Sequence, residues 1–388
     1  MKGLVALLFG LLFIAGGFLL WLQSDPVTAP SPGFDPLLQA LLEVDPDAFE
    51  APITSDPLLF PRDHAPHLGV RSEIWNLVGQ LVDEDGHAYP FQFSLLRFAL
   101  RPGAAERTSS WATTAVMLSG LRLYEPDRSR IRVRTAERLE RDALGLAGGE
   151  SVPARVWVAD WSLTLASSEA TGTHLTLNAA GEDLGLALEL SGSIAPIALG
   201  ELGLFGREGG AGFQGYLLPR LSLQGRLTRD SETVPVQGQA WLEHGWGNLI
   251  GGTGPVGLDR IALQLTPDQE LICLQLRRLD GTGTPIPSCA LIREDGGVQR
   301  FQRREILLEP RGRWRSAGSG FQFPVAWRLA IPLLELELTL DPLVKDQESA
   351  GPLPLWSGAV RVAGRQQGVP IQGRGWVEVS AESVTEPD

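Results

Sequence analysis

The sequence has few of the residues on which enzyme and metal sites usually depend. Its 388 residues include two cysteines, five histidines and three tyrosines. It contains no G-x-S-x-G string, and no serine or cysteine stands in a context that would activate it, so a nucleophilic hydrolase is not indicated. The glycine-rich stretches 206–212 and 251–254 lack a following P-loop lysine and helix, which argues against a nucleotide site. Acidic residues outnumber basic ones, and the net charge of -13 argues against nucleic-acid binding.

Helical periodicity is also scarce after residue 23, and strand-like alternation replaces it. Phe91, Phe93 and Leu95 are predicted to face one side of a strand, with Gln92 and Ser94 on the other. The 45 glycines and 28 prolines suit short strands joined by tight turns. With 43% hydrophobic and 20% charged residues, the chain has enough apolar side chains for a buried core. We therefore predict an all-β fold.

One apolar run at the N-terminus is the exception to this pattern. Residues 3–22 carry no charge and as a helix would span about 30 Å, the thickness of a bilayer's hydrocarbon core. A small-x-small cleavage signal at 27–29 is followed by Pro30, which should block cleavage. We expect a single-pass anchor over residues 1–23 and a linker over 24–59, with the bulk of the chain on the periplasmic side of the inner membrane. A cleaved signal peptide is the alternative.

The chain also resembles itself. The string VPVQGQAWLE at 234–243 returns as VPIQGRGWVE at 369–378 with identical spacing. Weaker echoes keep the same order: NLVGQL at 76–81 resembles IALQL at 261–265, and WSL and WRL stand at 161–163 and 327–329. Similarity in a fixed order marks a duplicated unit, and each unit is far too long for a solenoid repeat or a propeller blade.

This duplication predicts two related β domains, residues 60–247 and 248–385. Unit length and turn density favour antiparallel barrels over immunoglobulin sandwiches, and an eight-stranded barrel leaves room for one small ligand. The predicted fold is therefore two tandem antiparallel β-barrels after an N-terminal transmembrane helix.

Both cysteines lie in the second predicted domain. Cys273 and Cys289 flank a predicted hairpin turn at 280–283 and fall opposite each other on paired strands. A disulfide forms if that pair sits at a non-hydrogen-bonded position, where side chains approach most closely. The alternative is two buried small hydrophobic residues, and the sequence leaves both interpretations open.

Several motifs resemble one family. The segments 60–67 (FPRDHAPH) and 73–75 (EIW) are similar to F-P-x-D-H-x-x-H and E-W-W-Y of the AttH-like and carotenoid 1,2-hydratase-like proteins. The segment 237–247 (QGQAWLEHGWG) resembles their G-x-A-W-M-D-H-E-W-G. Further matches follow in family order, so that the resemblance covers roughly residues 60 to 380. It implies two consecutive lipocalin-like (calycin-type) barrels. It also implies a mixed set of functions, since one branch hydrates acyclic carotenoids and others bind lipids.

The family motif supplies the candidate catalytic residues. A hydratase needs a buried acid and aromatic faces beside the cation, so Glu243 or His244 would be the acid and Trp241 and Trp246 the cation stabilisers. Along an unbroken strand Trp241 and Glu243 share one face and His244 and Trp246 the other, so a barrel interior receives only one pair. The alternative is that Glu243 and His244 form a hydrogen-bonded polar pair closing the first barrel. The strand at 271–276 lacks the carboxylate expected of the hydratase branch, which weakens the enzymatic reading.

Further candidates come from the first predicted strands. Glu73 and Arg97 lie on neighbouring strands, and we expect them to pair inside the first barrel; gripping a lipid headgroup is the alternative. Trp75 is a candidate for the wall of an apolar ligand site, as are Trp241 and Trp246.

A metal site is not expected. Asp63, His64 and His67 are residue types that bind zinc, but a zinc site would need two or more further ligands with oriented partners. We favour a structural role for this segment. No cofactor is expected either.

The function that we expect is that of an exported, membrane-tethered protein that binds or carries a lipid or isoprenoid. One alternative is a carotenoid hydratase-like lyase that adds water to an isoprenoid double bond. Another is an interaction domain associated with a membrane transporter. Whether the protein is an enzyme stays open at this point.

Overall fold

The computed structural model describes most of the chain beyond the linker. The described residues are 44, 48–50, 57–102, 109–127, 130–168, 172–199, 204–205, 213–247, 256–265, 269–278, 286–349 and 355–382. The predicted anchor and most of the predicted linker lie outside these residues. Within them, no helix is long and apolar enough to cross a membrane.

Among the described residues, the first barrel is one antiparallel sheet of thirteen strands. Eleven of them follow the order β4-β3-β2-β1-β13-β12-β9-β8-β7-β6-β5, and the two short strands β10 and β11 both pair with β12. The strands are β1 (Ser72–Asp83), β2 (Ala88–Ala99), β3 (Ala115–Asp127), β4 (Arg130–Arg141), β5 (Ala147–Ser151), β6 (Ala154–Val158), β7 (Trp161–Ser168), β8 (Gly172–Ala179), β9 (Leu184–Gly192), β10 (Ile197–Ala198), β11 (Leu204–Phe205), β12 (Phe213–Arg229) and β13 (Glu232–Gly247).

In the part of the second barrel that the structure describes, nine strands form an antiparallel sheet in the order β17-β16-β15-β14-β22-β21-β20-β19-β18. The strands are β14 (Val256–Leu265), β15 (Gln269–Arg278), β16 (Ile286–Ile292), β17 (Val298–Gln302), β18 (Leu307–Arg315), β19 (Gln322–Ile331), β20 (Leu336–Pro342), β21 (Leu355–Gln366) and β22 (Val369–Ser380). The described residues also contain short 3-10 turns at Arg62–His64, Ala143–Gly145, Arg303–Glu305 and Pro332–Leu334.

The all-β prediction is confirmed: the first sheet is a nearly closed barrel and the second a half-barrel, arranged in tandem. Alternation places the apolar side of each strand inside. Phe91, Phe93 and Leu95 are fully buried in the core of the first barrel, as the sequence pattern predicts. Leu336 and Leu338 are buried in a separate core inside the second barrel.

The duplicated strings occupy equivalent places in the two sheets. The first lies in β13, which pairs with β1, and the second lies in β22, which pairs with β14. The weaker echo at 161–163 and 327–329 does not correspond in the same way. Counted from the duplicated strands, the Trp161 strand β7 takes the place of β18, whereas Trp327 lies in β19.

A third apolar cluster joins the two barrels. Trp241 and Val78 point away from the interior of the first barrel and pack with Ile272, Leu274 and Trp376 of the second. The parts of the outer faces of β1 and β13 that lie in this cluster are therefore not solvated. They form a second core, which explains the apolar side chains at outward-facing positions such as Val78 and Trp241.

Strand register decides between the two interpretations of the cysteines, a disulfide or two free buried residues. Cys273 in β15 stands directly opposite Cys289 in β16, and the two form a disulfide with Cα atoms 4.1 Å apart. This is the short spacing of a non-hydrogen-bonded pair, where a cross-strand bridge fits. Both residues are buried in the core of the second barrel.

Candidate functional site

The interior of the first barrel holds a row of polar side chains among apolar ones. Strand register places them: Trp75 in β1 stands opposite His244 in β13, and His244 stands opposite Tyr216 in β12. Glu73 precedes Trp75 by two residues and therefore shares its face of the strand. The 3-10 turn at Arg62–His64 carries His64 to the same place from outside the sheet.

Glu73 is the acceptor at one end of this row. Its Oε1 lies 2.9 Å from Nδ1 of His67 and 2.9 Å from Nε2 of His244, and the backbone N–H of His67 donates to the same carboxylate at 3.0 Å. Burial alone would raise the pKa of the Glu73 carboxyl, but the hydrogen bonds from His244 and His67 outweigh burial and lower it to about 2. Glu73 is therefore a buried carboxylate that acts as an acceptor.

His67 stands between two carboxylates. Its ring stacks on Trp246 with centroids 3.6 Å apart, and its Nε2 lies 3.9 Å from Oδ1 of Asp63. Burial would lower the pKa of His67, but its contacts with Asp63 and Glu73 outweigh burial and raise the pKa. The imidazole is thus held in one orientation by stacking and by acceptors at both ring nitrogens.

Tyr216 links two histidines at the other end. Its hydroxyl lies 2.6 Å from Nδ1 of His64 and 3.1 Å from Nδ1 of His244, and Nε2 of His64 lies 3.0 Å from the Ser167 hydroxyl. Burial lowers the pKa of His244, and burial, together with the repulsion that a protonated His244 would exert, lowers the pKa of His64 to about 4. Burial also raises the pKa of Tyr216 well above its ordinary value. This end of the row is therefore neutral.

Neutral histidines leave one consistent direction for the hydrogen bonds. Because Glu73 only accepts, His244 carries its hydrogen on Nε2, and its Nδ1 accepts from the Tyr216 hydroxyl. The Tyr216 oxygen then accepts from Nδ1–H of His64, whose Nε2 accepts from Ser167. Every member of the row is satisfied, as a buried polar network requires. We refer to Ser167, His64, Tyr216, His244, Glu73 and His67 as the polar row.

A cavity lies beside the polar row. It has a volume of about 260 Å³ and is lined by Trp75 and Arg97, by Met117 of β3, and by Val156 and Trp157 of β6. These strands lie near the edge strands β4 and β5, where the two ends of the first sheet approach each other. Trp75 is completely buried, its ring stacks on His244 at 4.7 Å, and its indole N–H finds no hydrogen-bond partner among the described residues.

The family is decided by a sequence model for AttH-like proteins that matches residues 51–381. The chain belongs to the AttH-like family. The AttH-like fold is also found in solved structures. An AttH protein from Nitrosomonas europaea is 25% identical, with a TM-score of 0.69 over 86% of this chain and 99% of that chain. Kievitone hydratase from Nectria haematococca is 14% identical, with a TM-score of 0.64 over 87% of this chain and 98% of that chain, and this likeness concerns the fold alone. No curated protein sequence matches the chain at a significant level.

The AttH-like motif on β13 is divided between two environments, as alternation predicts. His244 and Trp246 face the interior of the first barrel. Trp241 and Glu243 face the second barrel, where Nε of Arg260 donates to Oε1 of Glu243 at 2.8 Å. The alternative that Glu243 and His244 form a hydrogen-bonded pair closing the first barrel is wrong, because successive residues of a strand point to opposite faces and the two side chains have other partners. As a candidate acid, Glu243 is separated from Trp246 by the sheet.

The prediction that Glu73 and Arg97 form an ion pair is also wrong. The two residues stand opposite each other on β1 and β2, but their polar atoms have different partners. The Arg97 guanidinium donates to the carbonyls of Val70 at 3.2 Å and Leu68 at 3.1 Å. The Glu73 carboxylate instead accepts hydrogen bonds from the rings of His67 and His244. Arg97 thus fixes the loop that carries His67, and it also lines the cavity.

Tyr216 and Ser167 were missed by sequence reasoning. Counting outward from the β12–β13 turn pairs Tyr216 with Gly245 and so points it away from His244. A β-bulge between Leu218 and Leu221 shifts the register by one residue and brings Tyr216 opposite His244. Arg220, inside the bulge, has a φ of 49°, a left-handed conformation that no pattern in the sequence announces.

Proposed function

We propose that this AttH-like protein binds a small, largely apolar molecule carrying one hydrogen-bond acceptor in the cavity of the first barrel. The observation that carries the proposal is Trp75, a residue that lines that cavity and whose buried indole N–H lacks a partner among the described residues. A buried donor without an acceptor costs about 1–3 kcal/mol, and the acceptor atom of a ligand would remove that cost.

The walls of the cavity suit such a ligand. Met117, Val156 and Trp157 supply apolar surface, and the volume of about 260 Å³ is near the lower end for small-molecule pockets. Gly149 lets β5 approach Pro66 closely, since a Cβ at this position would clash with the proline ring. A hydroxyl or carbonyl group directed at Trp75, with the apolar body along β3 and β6, satisfies both parts of the site. A short-chain isoprenoid alcohol or a short-chain lipid fits this description better than a long carotenoid.

The hydratase-like alternative has weaker support. Alkene hydration needs a protonated acid at the cavity, whereas Glu73 accepts three hydrogen bonds and Glu243 lies on the other face of the sheet. His244 donates from Nε2 to a carboxylate and accepts at Nδ1, so it holds its hydrogen away from the cavity. The polar row therefore supports positioning of Trp75 better than proton transfer to a ligand.

Titration with farnesol, an acyclic isoprenoid alcohol, tests the proposal by calorimetry. We expect one binding site, and we expect Trp75→Phe to weaken binding by about 2- to 10-fold, because one hydrogen bond is lost while the ring stacked on His244 is kept. Trp111→Phe is the matched control, since Trp111 is 65% exposed and should leave the affinity unchanged. Equal affinity of wild type and Trp75→Phe would contradict the proposed site. Gain of a water by farnesol during incubation would favour the hydratase alternative.

We propose in addition that the protein works at the outer face of a bacterial inner membrane, tethered by residues 1–23. The uncharged run at 3–22 supports this proposal. We expect the chain to sediment with membranes and to be digested by protease added to spheroplasts, whereas a variant lacking residues 2–24 should not sediment. Protection of the full chain in spheroplasts would contradict this placement. A membrane transporter that co-purifies with a ligand-free protein would favour the interaction-domain alternative.

A further inference from the structure

Three potential ligand atoms of the polar row converge on one point. Nδ1 of His67 and Nε2 of His244 each lie 2.9 Å from the same oxygen of Glu73, and the three atoms lie within 4.8 Å of one another. The pair His64 and His67 alone lacks enough ligands for a metal. The fold brings His67 together with two residues far away in the sequence. Two imidazoles and one carboxylate form the ligand set of many zinc and non-haem iron sites.

The outer contacts of these ligands have the arrangement that metal sites use. In such sites the ring nitrogen that does not bind the ion contacts a carboxylate or another polar group, which fixes the ring. Nε2 of His67 faces Asp63 at 3.9 Å, and Nδ1 of His244 faces the Tyr216 hydroxyl at 3.1 Å. Both contacts use the nitrogens that an ion at Glu73 would leave free.

The rings are held in place by stacking. His67 lies on Trp246, nearly parallel at 9°, and His244 lies on Trp75 at 19°. Zinc bonds to nitrogen and oxygen of about 2.0–2.1 Å put tetrahedral ligands about 3.4 Å apart, so the present 2.9 Å contacts need to open by only about 0.5 Å. A shift of this size is within the range of side-chain adjustment.

We propose that His67, Glu73 and His244 bind one divalent transition-metal ion, with zinc as the reference ion. The ion takes the place of the hydrogens on Nδ1 of His67 and Nε2 of His244, and each ring then carries its hydrogen on the other nitrogen. His67 donates to Asp63, and His244 donates to the Tyr216 oxygen. The Tyr216 hydroxyl then donates to Nδ1 of His64, whose hydrogen moves to Nε2 and is donated to Ser167. Bonds to the ion replace the two hydrogen bonds between the histidines and Glu73, and the rest of the row stays paired. This inference is independent of the ligand proposed for the cavity.

The test uses the full chain without a histidine tag, stripped with a chelator and then loaded with zinc or cobalt(II). We expect one retained zinc per chain after desalting and, for cobalt(II), the intense visible bands of a low-symmetry nitrogen and oxygen site. Glu73→Gln and His67→Gln should each weaken zinc binding by at least about 100-fold. Asp63→Asn should weaken it by about 10- to 100-fold, the usual effect of losing an orienting partner.

The control is a second group, in which Asp85 and His87 are exposed and Asp83 is half-buried, and which also offers three ligand atoms. His87→Ala should keep both the retained zinc and the cobalt bands. Zinc should raise the melting temperature of wild type and His87→Ala but not of His67→Gln. A cooperative melting transition of His67→Gln without zinc shows that this variant is folded. Absence of retained zinc in the wild type, or its loss in His87→Ala but not in His67→Gln and Glu73→Gln, would overturn the proposal.

Discussion

Replacing Arg260 with methionine is expected to lower the free energy of unfolding by about 3–5 kcal/mol, because it leaves buried carboxylates without their cation. The Arg260 side chain is 9% exposed, and its partners Glu243 and Glu378 are 8% and 7% exposed. Its guanidinium lies 2.8 Å from Glu243 and 3.7 Å from Glu378, so it contacts one buried carboxylate of each barrel. Urea denaturation of wild type and variant measures the difference.

The loss should depend on pH in a defined direction. Burial raises the pKa of Glu378 above its ordinary value of 4.5, even though Arg260 opposes the shift, so removal of Arg260 raises it further. A carboxyl whose pKa is raised by folding destabilises the native state as the pH rises above the unfolded value. The deficit of Arg260→Met should therefore be larger at pH 8 than at pH 5.

An exposed ion pair provides the matched control. Arg313 pairs with Glu382 at 2.7 Å, but the two side chains are 46% and 27% exposed. Arg313→Met should cost less than about 1 kcal/mol, since surface ion pairs contribute little. Equal effects of Arg260→Met and Arg313→Met would show that the contact between the barrels does not depend on this cation.

The second large loss of stability is expected when Glu73 is replaced. Glu73→Leu keeps most of the side-chain volume but removes the acceptor for two histidine rings and one backbone N–H. The Glu73 carboxylate is completely buried, so its removal leaves these donors without an acceptor. The free energy of unfolding should therefore fall by about 3–5 kcal/mol. Denaturation in the presence of a chelator measures this loss without a contribution from bound metal.

Two variants make the Glu73 result interpretable. Glu73→Gln keeps one acceptor oxygen and should lose less than half as much stability as Glu73→Leu. Glu84→Leu, at an exposed position of the β1–β2 turn, should change stability by no more than about 0.5 kcal/mol. A Glu73→Leu variant as stable as Glu84→Leu would mean that the polar row does not organise the first barrel.

The all-β fold and its duplication were predictable from strand alternation and from the repeated string in the sequence. The alternating pattern at Phe91 and Phe93 identified inward-facing positions, and the repeated string on β13 and β22 identified equivalent strands. Sequence reasoning could not foresee that one barrel nearly closes and the other stops at half, because closure depends on strand tilt and register rather than on periodicity.

The candidate site was only partly predictable. The alternation at Trp241, Glu243, His244 and Trp246 separated the two pairs correctly, since that rule is local. The partners of each pair are not local: Arg260 comes from the other barrel, and Tyr216 reaches His244 only through a β-bulge. Contacts of this kind depend on how the sheets pack and where a bulge shifts the strand register. Neither can be predicted from the pattern of a single sequence.

The most direct test of the account is native mass spectrometry of the full chain purified from its native cells, followed by organic extraction. The account predicts a bound small apolar molecule of defined mass, which is lost in Val156→Phe because the larger ring fills the cavity. Val369→Phe, at a 65% exposed position, should retain it. A chain that carries no such molecule, and that also takes up no added isoprenoid alcohol, would contradict the claim that the first barrel is a ligand-binding site.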